Sequence, residues 1–394
     1  MSEVAQAIHS SPDGHIPQLR FPEFSGEWMT DELSNLIEIS SNKFNPNTSN
    51  ESKKCIELEH LSQETGELLG YTDSTAQAST KNAFTKGQVL FGKLRPYLKK
   101  FWLSQFDGVC SSEIWVLNGK KLANNYLFQF IQTNKFNQIA NVSSGSKMPR
   151  SDWKYMVQVP FKYTTKPEQQ KIAAFLTAVD NKIEQLSKKQ ALLGEYKKGL
   201  MQQIFSQAIR FKADDGSDFP DWKENKVDEF MEVTRGQVLA VPEMRQVESE
   251  IFKYPVYSSQ TKNNGLTGYY TDYLFEDCIT WTTDGANAGD VNYRAGKFYC
   301  TNVCGVLRSK KGYANLCIAQ ILNSVSRRYV SYVGNPKLMN NVMEKIKISI
   351  PSSINEQTKI ANFLSSVDSK IEEVGKQLDE SKQFKKALLQ KMFV

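Results

Sequence analysis

The residues in this chain best suited to chemistry are cations set among hydroxyls and amides. Lys93, Arg95, Lys99 and Lys100 place four cations within eight residues and no acid, interleaved with Tyr97 and followed by Phe101 and Trp102. Cations so spaced can neutralise phosphates and make binding salt-dependent; a solvated strand edge would look the same. A second group, Lys147 and Arg150, follows Ser143, Ser144, Gly145 and Ser146. Later in the chain Ser258, Ser259, Gln260, Thr261, Lys262, Asn263 and Asn264 sit together, as do Thr282, Thr283, Asp284 and Asn287, with Arg294 and Lys337 completing the candidates. Asn and Gln can bond adenine edges bidentately, and Lys or Arg can bond guanine. Each group alone could be an ordinary turn. Their recurrence in both halves of the chain favours nucleic-acid binding.

Other chemistries lack their residues. There is no Gly-rich phosphate loop ending in Lys-Ser or Lys-Thr and no dinucleotide fingerprint. GANAGD (Gly285 to Asp290) lacks the spacing of a phosphate or calcium loop and reads as a structural turn. The three histidines, His9, His15 and His60, all lie in the first sixty residues. Of six cysteines, Cys300 and Cys304 are the close pair; without a second pair or a nearby His they read as buried thiols, not zinc ligands. The expectation is therefore a chain with no catalytic residue, no metal and no cofactor of its own. A net charge of +6 permits an acidic partner without demanding one. With 40% hydrophobic and 23% charged residues, the 394-residue chain has the composition of a soluble protein of two or three domains. No run approaches the ~20 apolar residues that span a bilayer. The opening MSEVAQAIHSSPDGH has no hydrophobic signal core, so a cytoplasmic location is expected.

What must position the candidates is a repeated helix. Glu168 to Phe205 and Glu356 to Phe393 align at an offset of 188 with 18 of 38 residues identical. An internal repeat is the reading. In the first copy Ile172, Leu176, Val179, Ile183, Leu186, Gln190, Leu193, Lys197, Leu200 and Ile204 step by four and three; in the second, Ile360, Leu364, Val367, Ile371, Val374, Leu378, Ser381, Lys385, Leu388 and Met392 do so. A heptad seam of this length signals a coiled coil, with each helix about 57 Å long at 1.5 Å per residue. Two matching seams would satisfy each other as an antiparallel intramolecular pair. Lys197 and Lys385, at equivalent seam positions, are expected to set register.

The repeat extends beyond the helices. LRFPEFSGEW (Leu19 to Trp28) has a counterpart in IRFKADDGSDFPDW (Ile209 to Trp222), so two half-molecules follow head to tail with approximate two-fold symmetry. The expected order is a lead-in (1–29), a first middle (30–165), a coil helix (166–208), a connecting segment (209–225), a second middle (226–352) and a second coil helix (353–394). Both middles mix strand-like runs with short helices, an α+β class. In the first, KGQVLFG and VCSSEIWVLNG read as strands and KLANNYLFQFIQTNKFNQIA as one amphipathic helix. In the second, a helix is expected near Ala314 to Ser326, with Asn355 capping the last long helix.

Two variable middles, each followed by a helix of the E-Q-x-K-I-A-x-F-L-x-x-V-D-x-K-I type (Glu168 to Glu184, Glu356 to Glu372), closely resemble the specificity subunits of Type I restriction–modification systems. LFGKLRPYLKKFW, GSKMPRSDW, YPVYSSQTKNNG, ITWTTDGANAGDV and CTNVCGVL look like that family too, and the resemblance covers nearly the whole chain. It implies two target-recognition domains, each reading half of a bipartite site in double-stranded DNA, with the helices setting the gap. It also implies partners: two methylation subunits using S-adenosylmethionine, and restriction–motor subunits using ATP and Mg. Outward coil residues such as Lys182, Glu184, Lys370 and Glu372 would help dock the methylation subunits. A coiled-coil scaffold or anti-restriction protein binding only proteins is the competing reading; a DNA mimic should be strongly acidic, and this chain is slightly basic.

Overall fold

The computed structural model of the protein describes residues 16–49, 51–76, 79–142, 147–259, 262–309 and 311–394. The chain divides into two compact units, residues 1–189 with 374–394, and residues 190–373. The division cuts both long helices, so each unit holds part of each.

The long helices span Lys166–Phe205 and Ile354–Met392, 40 and 39 residues. Among the described residues no helix is long and apolar enough to cross a membrane. Pro167 lies in the first turn of the first helix, where no intrahelical N–H bond is lost. Asn355 is not the cap of the second: the helix starts at Ile354, and the Ser353 carbonyl accepts from Gln357 N at 3.1 Å. In the first unit Ile172, Leu176, Leu186, Val374, Leu378, Leu388 and Met392 are buried, and Val179 and Ile183 are half-buried. In the second, Ile204, Ile360, Leu364 and Val367 are buried, and Leu193, Leu200 and Ile371 are half-buried. Each fully buried aliphatic side chain contributes about 1.5–3 kcal/mol.

Polar residues interrupt the seam in pairs. In the first unit Lys385 Nζ lies 2.5 Å from Asp180 and donates to Gln132 Oε1 at 2.6 Å. In the second, Lys197 Nζ lies 2.6 Å from Asp368. Both pairs run antiparallel, and both occupy equivalent positions in the repeat.

Each strand-rich module hangs on its helices by the same devices. In the first unit Met29–Glu32 pairs antiparallel with Pro160–Tyr163, the strand leading into the first long helix; in the second Lys223–Lys226 pairs with Lys347–Ile350. Beyond this ribbon the first unit carries a four-stranded sheet (in spatial order Ile37–Ile39, Ile114–Gly119, Val89–Gly92, Phe101–Leu103) and a five-stranded sheet through Lys54–Ile56, Lys81–Phe84 and Gly108–Cys110. The second unit has one six-stranded sheet, with Phe275–Thr282 flanked by Val291–Cys300 and Cys304–Arg308. Gly305 in that sheet is required: an added Cβ would fall 2.1 Å from the Trp281 ring.

Two expected elements are divided. The single helix expected after Lys121 is two, Asn124–Phe130 and Asn134–Ala140, because Thr133 Oγ1 accepts from Phe136 N and starts a new helix. VCSSEIWVLNG is likewise two strands, Gly108–Cys110 and Ile114–Gly119. In the second module Leu316–Ser326 is helical, capped by Asn315.

Candidate nucleic-acid interface

The two modules carry one loop arrangement twice. In the first unit the strand Val89–Gly92 runs out into Lys93–Lys100, and this loop is clamped to the segment before the short helix Trp153–Met156. Lys93 N donates to Glu113 O (3.0 Å), Arg95 N to Pro149 O (2.8 Å) and Ser151 N to Lys93 O (2.9 Å). In the second unit the strand Phe275–Thr282 runs out in the same way. Thr283 N donates to Val303 O (3.0 Å), Gly285 N to Pro336 O (2.9 Å) and Leu338 N to Thr283 O (2.9 Å). Leu94 bridges Arg150, and Asp284 bridges Lys337. Lys93 thus corresponds to Thr283, Arg95 to Gly285, Pro149 to Pro336 and Arg150 to Lys337.

The structure sorts the expected cations of the first cradle by their partners. Arg150 donates through two nitrogens to both oxygens of Glu113, each at 3.0 Å, and this guanidinium holds the Glu113 carboxyl below its usual range. Lys99 Nζ donates to Glu64 (2.7 Å) and Lys100 Nζ to Leu58 O (2.6 Å). These three stiffen the loop, and none is a free phosphate contact as the fold stands. Arg95, Tyr97 and Lys147 are exposed, and among the described residues the Arg95 and Lys147 side chains have no hydrogen-bond or ionic partner; Lys93 is half-buried. Ser144 and Ser146 lie outside the described residues. Arg95 (φ 53°) and Lys99 (φ 47°) both adopt the left-handed conformation, which costs residues with a Cβ.

In the second cradle Asn287 Nδ2 donates to Ser259 O at 3.1 Å, and Thr301 Oγ1 donates to Ser258 Oγ at 2.9 Å. The hydroxyl-rich segment and the 284–290 loop therefore meet. Lys262, Asn263 and Asn264 are exposed, the two asparagines at φ 50° and 52°; Gln260 and Thr261 fall outside the described residues. Lys337 is exposed, 3.8 Å from Asp284.

Three candidates of the second module belong to the interior. Thr282 and Thr283 are buried, the latter donating to Val303 O at 2.9 Å. Arg294 is buried with its guanidinium 3.8 Å from the centre of the Tyr257 ring and its Nε donating to Thr280 Oγ1, and burial lowers its pKa. An Arg on an alternating strand reads as outward; the inward phase here comes from pairing with Cys278.

Some participants gave no usable sequence signal. Arg235 anchors the second cradle, donating to Asn302 O at 2.6 Å and lying 3.5 Å from Asp284. Glu64 and Glu113 neutralise cations distant in sequence. Tyr332 and Val333, in the loop that carries Lys337, are strongly exposed, Val333 at 92%.

The repeated Glu-Gln of each long helix is buried and structural. Glu168 accepts from Arg20 Nε and Nη2, both at 2.8 Å, and Glu356 accepts from Arg210 at 3.1 Å and from Trp222 Nε1 at 3.1 Å. Gln169 accepts from Ala123 N (2.8 Å) and donates to Thr164 O (2.7 Å); Gln357 accepts from Asn315 Nδ2 (2.7 Å) and donates to Pro351 O (2.8 Å). All six cysteines are buried and unbridged. Among the described residues no group of three His, Cys, Asp or Glu side chains is placed to hold a metal.

The comparisons with known proteins agree with this duplicated architecture. The family described as Type I restriction modification DNA specificity domain matches residues 25–193 and 220–380. The chain belongs to that family, as two copies of its domain. Over 146 residues it is 37% identical to a Mycoplasma pneumoniae protein named as a type I specificity subunit N-terminus, covering 36% of this chain and 75% of that one. It is 33% identical over 116 residues to the specificity subunit of the Escherichia coli type I restriction enzyme EcoDI, 29% of this chain and 26% of that one. The match spans 45% and 38% of the length of two other Mycoplasma pneumoniae proteins named as type I specificity subunits, and 81% of a third. The fold is similar to the crystal structure of a Type I restriction–modification S subunit from M. genitalium, with a TM-score of 0.65 and 16% identity over 96% of this chain and 99% of that one.

Proposed function

We propose that this chain is the sequence-reading subunit of a Type I restriction–modification complex. Each module reads one half of a bipartite site in double-stranded DNA, and the helical frame sets the gap between the halves. The observation that carries this reading is the repeated cradle: one backbone clamp, built twice on two copies of one frame, holding different side chains. Matched frames with divergent loops are what two readers of different sequences require. Phosphate contacts position such readers and base-edge contacts specify. The first cradle offers Arg95, Tyr97 and Lys147 as exposed groups, beside the exposed but Glu113-paired Arg150, and the second offers Lys262, Asn263, Asn264 and Lys337.

In this reading the chain performs no bond chemistry. Methylation subunits bring S-adenosylmethionine and modify adenine, and restriction–motor subunits bring ATP hydrolysis with Mg; the assembly works in the cytoplasm, where the DNA is. The long helices offer the methylation subunits a repeated foothold. Tyr196 and Phe384, equivalent in the repeat, are 56% and 52% exposed, and each is followed by a seam lysine and an exposed lysine. Exposed aromatics at equivalent repeat positions suit two copies of one partner. Lys182, Glu184, Lys370 and Glu372, all exposed, would form the polar surround.

Exchanging residues 29–163 for those of a relative with another specificity tests the two-reader assignment. One half-site should change while the other half-site and the gap persist. A change in both halves would sink it.

A further inference from the structure

Arg95 occupies a position whose backbone the fold dictates. Its counterpart in the second cradle makes the same bond to a proline carbonyl and is Gly285, at φ +92°. Glycine takes this left-handed conformation without steric cost, whereas Arg95 takes it at φ 53° against the preference of a residue with a Cβ. A Cβ built at Gly285 meets nothing within 4 Å, so at this point of the cradle a side chain enters open space. The Arg95 side chain is exposed and has no ionic or hydrogen-bond partner among the described residues, while Lys99, Lys100 and Arg150 around it are tied down by protein groups. Backbone strain retained where glycine would relieve it points from the outlier to a use for the side chain.

Resting on the reading of this chain as a DNA-specificity subunit, we propose that Arg95 is a specificity-determining residue that reads one guanine, through O6 and N7 in the major groove, in the half-site of the first module. A guanidinium forks onto that edge in a single plane. The surrounding ion pairs hold the loop so that Arg95 is presented without local competition. The second module, with Gly285 at this point, has no such reader there and must specify through other groups.

The test uses the chain co-expressed with its methylation subunits, with methylated adenines mapped genome-wide for wild type, Arg95→Gly and Arg95→Asn. Both replacements suit a left-handed backbone, so thermal unfolding should occur at the wild-type temperature or above. The expected result is a bipartite motif with a guanine in the first module's half-site. In both variants that one position relaxes, with discrimination falling roughly five- to hundred-fold, while the other half-site and the gap are unchanged. Unchanged discrimination would overturn the assignment. So would a uniform loss of binding to all sequences with the salt slope reduced by about one, the signature of a phosphate contact. If wild type itself gave no bipartite motif, the specificity-subunit reading would fail first and this inference with it.

Discussion

Arg20 and Glu168, 148 residues apart, meet through two hydrogen bonds of 2.8 Å, and Glu168 is 1% exposed. The fork of one and the paired oxygens of the other match bidentately, which is the strong form of this contact. Arg210 and Glu356 repeat the contact in the second unit. The lead-in segment of each module is thereby locked to the first turn of its own long helix, alongside the ribbon that enters that helix. A buried pair of this kind is costly to break from one side, since the remaining charge has no water to return to. Arg20→Ala should therefore destabilise by about 3–5 kcal/mol in denaturant unfolding. Arg20→Leu combined with Glu168→Leu should recover much of that loss; an equal loss in single and double variants would show that the pairing is not what matters.

The seam pairs make a different prediction, because they are only half-buried. Lys197→Asp sets a second acid opposite Asp368, while adding Asp368→Lys restores an ion pair in reverse. A double-mutant cycle should return a coupling of about 1–3 kcal/mol. Coupling near zero would mean that the apolar seam alone holds this stretch.

Tyr196 and Phe384 leave more than half of their surface exposed and lie outside the buried clusters of their units, so their removal should leave folding intact. Tyr196→Ala or Phe384→Ala should each weaken capture of one methylation subunit by about 2 kcal/mol, the size of an interface hot spot. Mass measurement of the purified complex should show a copy lost with either change and both lost with the pair. Full occupancy in the double variant would remove these rings from the interface.

The coil, the duplication and the mixed modules were legible because each is written in local spacing. Leu176 or Leu364 announces a buried face by its neighbours at three and four residues. Glu168, Gln169, Glu356 and Gln357 were not legible as interior groups, since an isolated carboxylate or amide defaults to solvent and their partners lie far along the chain or across a fold. The candidate site divided in the same way. Polar loops were visible, but which cations are spent inside depends on Glu64, Glu113 and the Leu58 carbonyl, all brought in by tertiary folding. Arg294 and Thr283 point inward through strand pairing and loop clamping that no residue type reveals. The break at Thr133 was a helix cap hidden in a pattern periodic on both sides.

Acid should loosen the first cradle, which is fully clamped at neutral pH. The Glu113 pKa is depressed chiefly by its hydrogen bonds to Arg150. A depressed carboxylate contributes stability that is complete above its unfolded value, about 4.3, and is lost as pH falls through the lower native value. Melting temperatures followed downward from about pH 6 should fall less steeply below about pH 4.3 in Glu113→Gln than in wild type. Parallel acid limbs would mean that this pair contributes nothing to the linkage.

The helical frame as a spacer can be examined without touching either cradle. Removing one heptad from both long helices shortens each by about 10 Å. The gap of the methylated motif should change with both half-sites preserved; altered half-sites at the old gap would refute the ruler.

The central claim rests on what this chain brings to its complex, and one measurement addresses it directly: methylated adenines mapped across a genome in cells expressing the methylation subunits with and without the chain. A single bipartite motif that appears with the chain and vanishes without it is the predicted result. No motif, or one that persists when the chain is omitted, would contradict the account and leave a scaffold that binds only proteins.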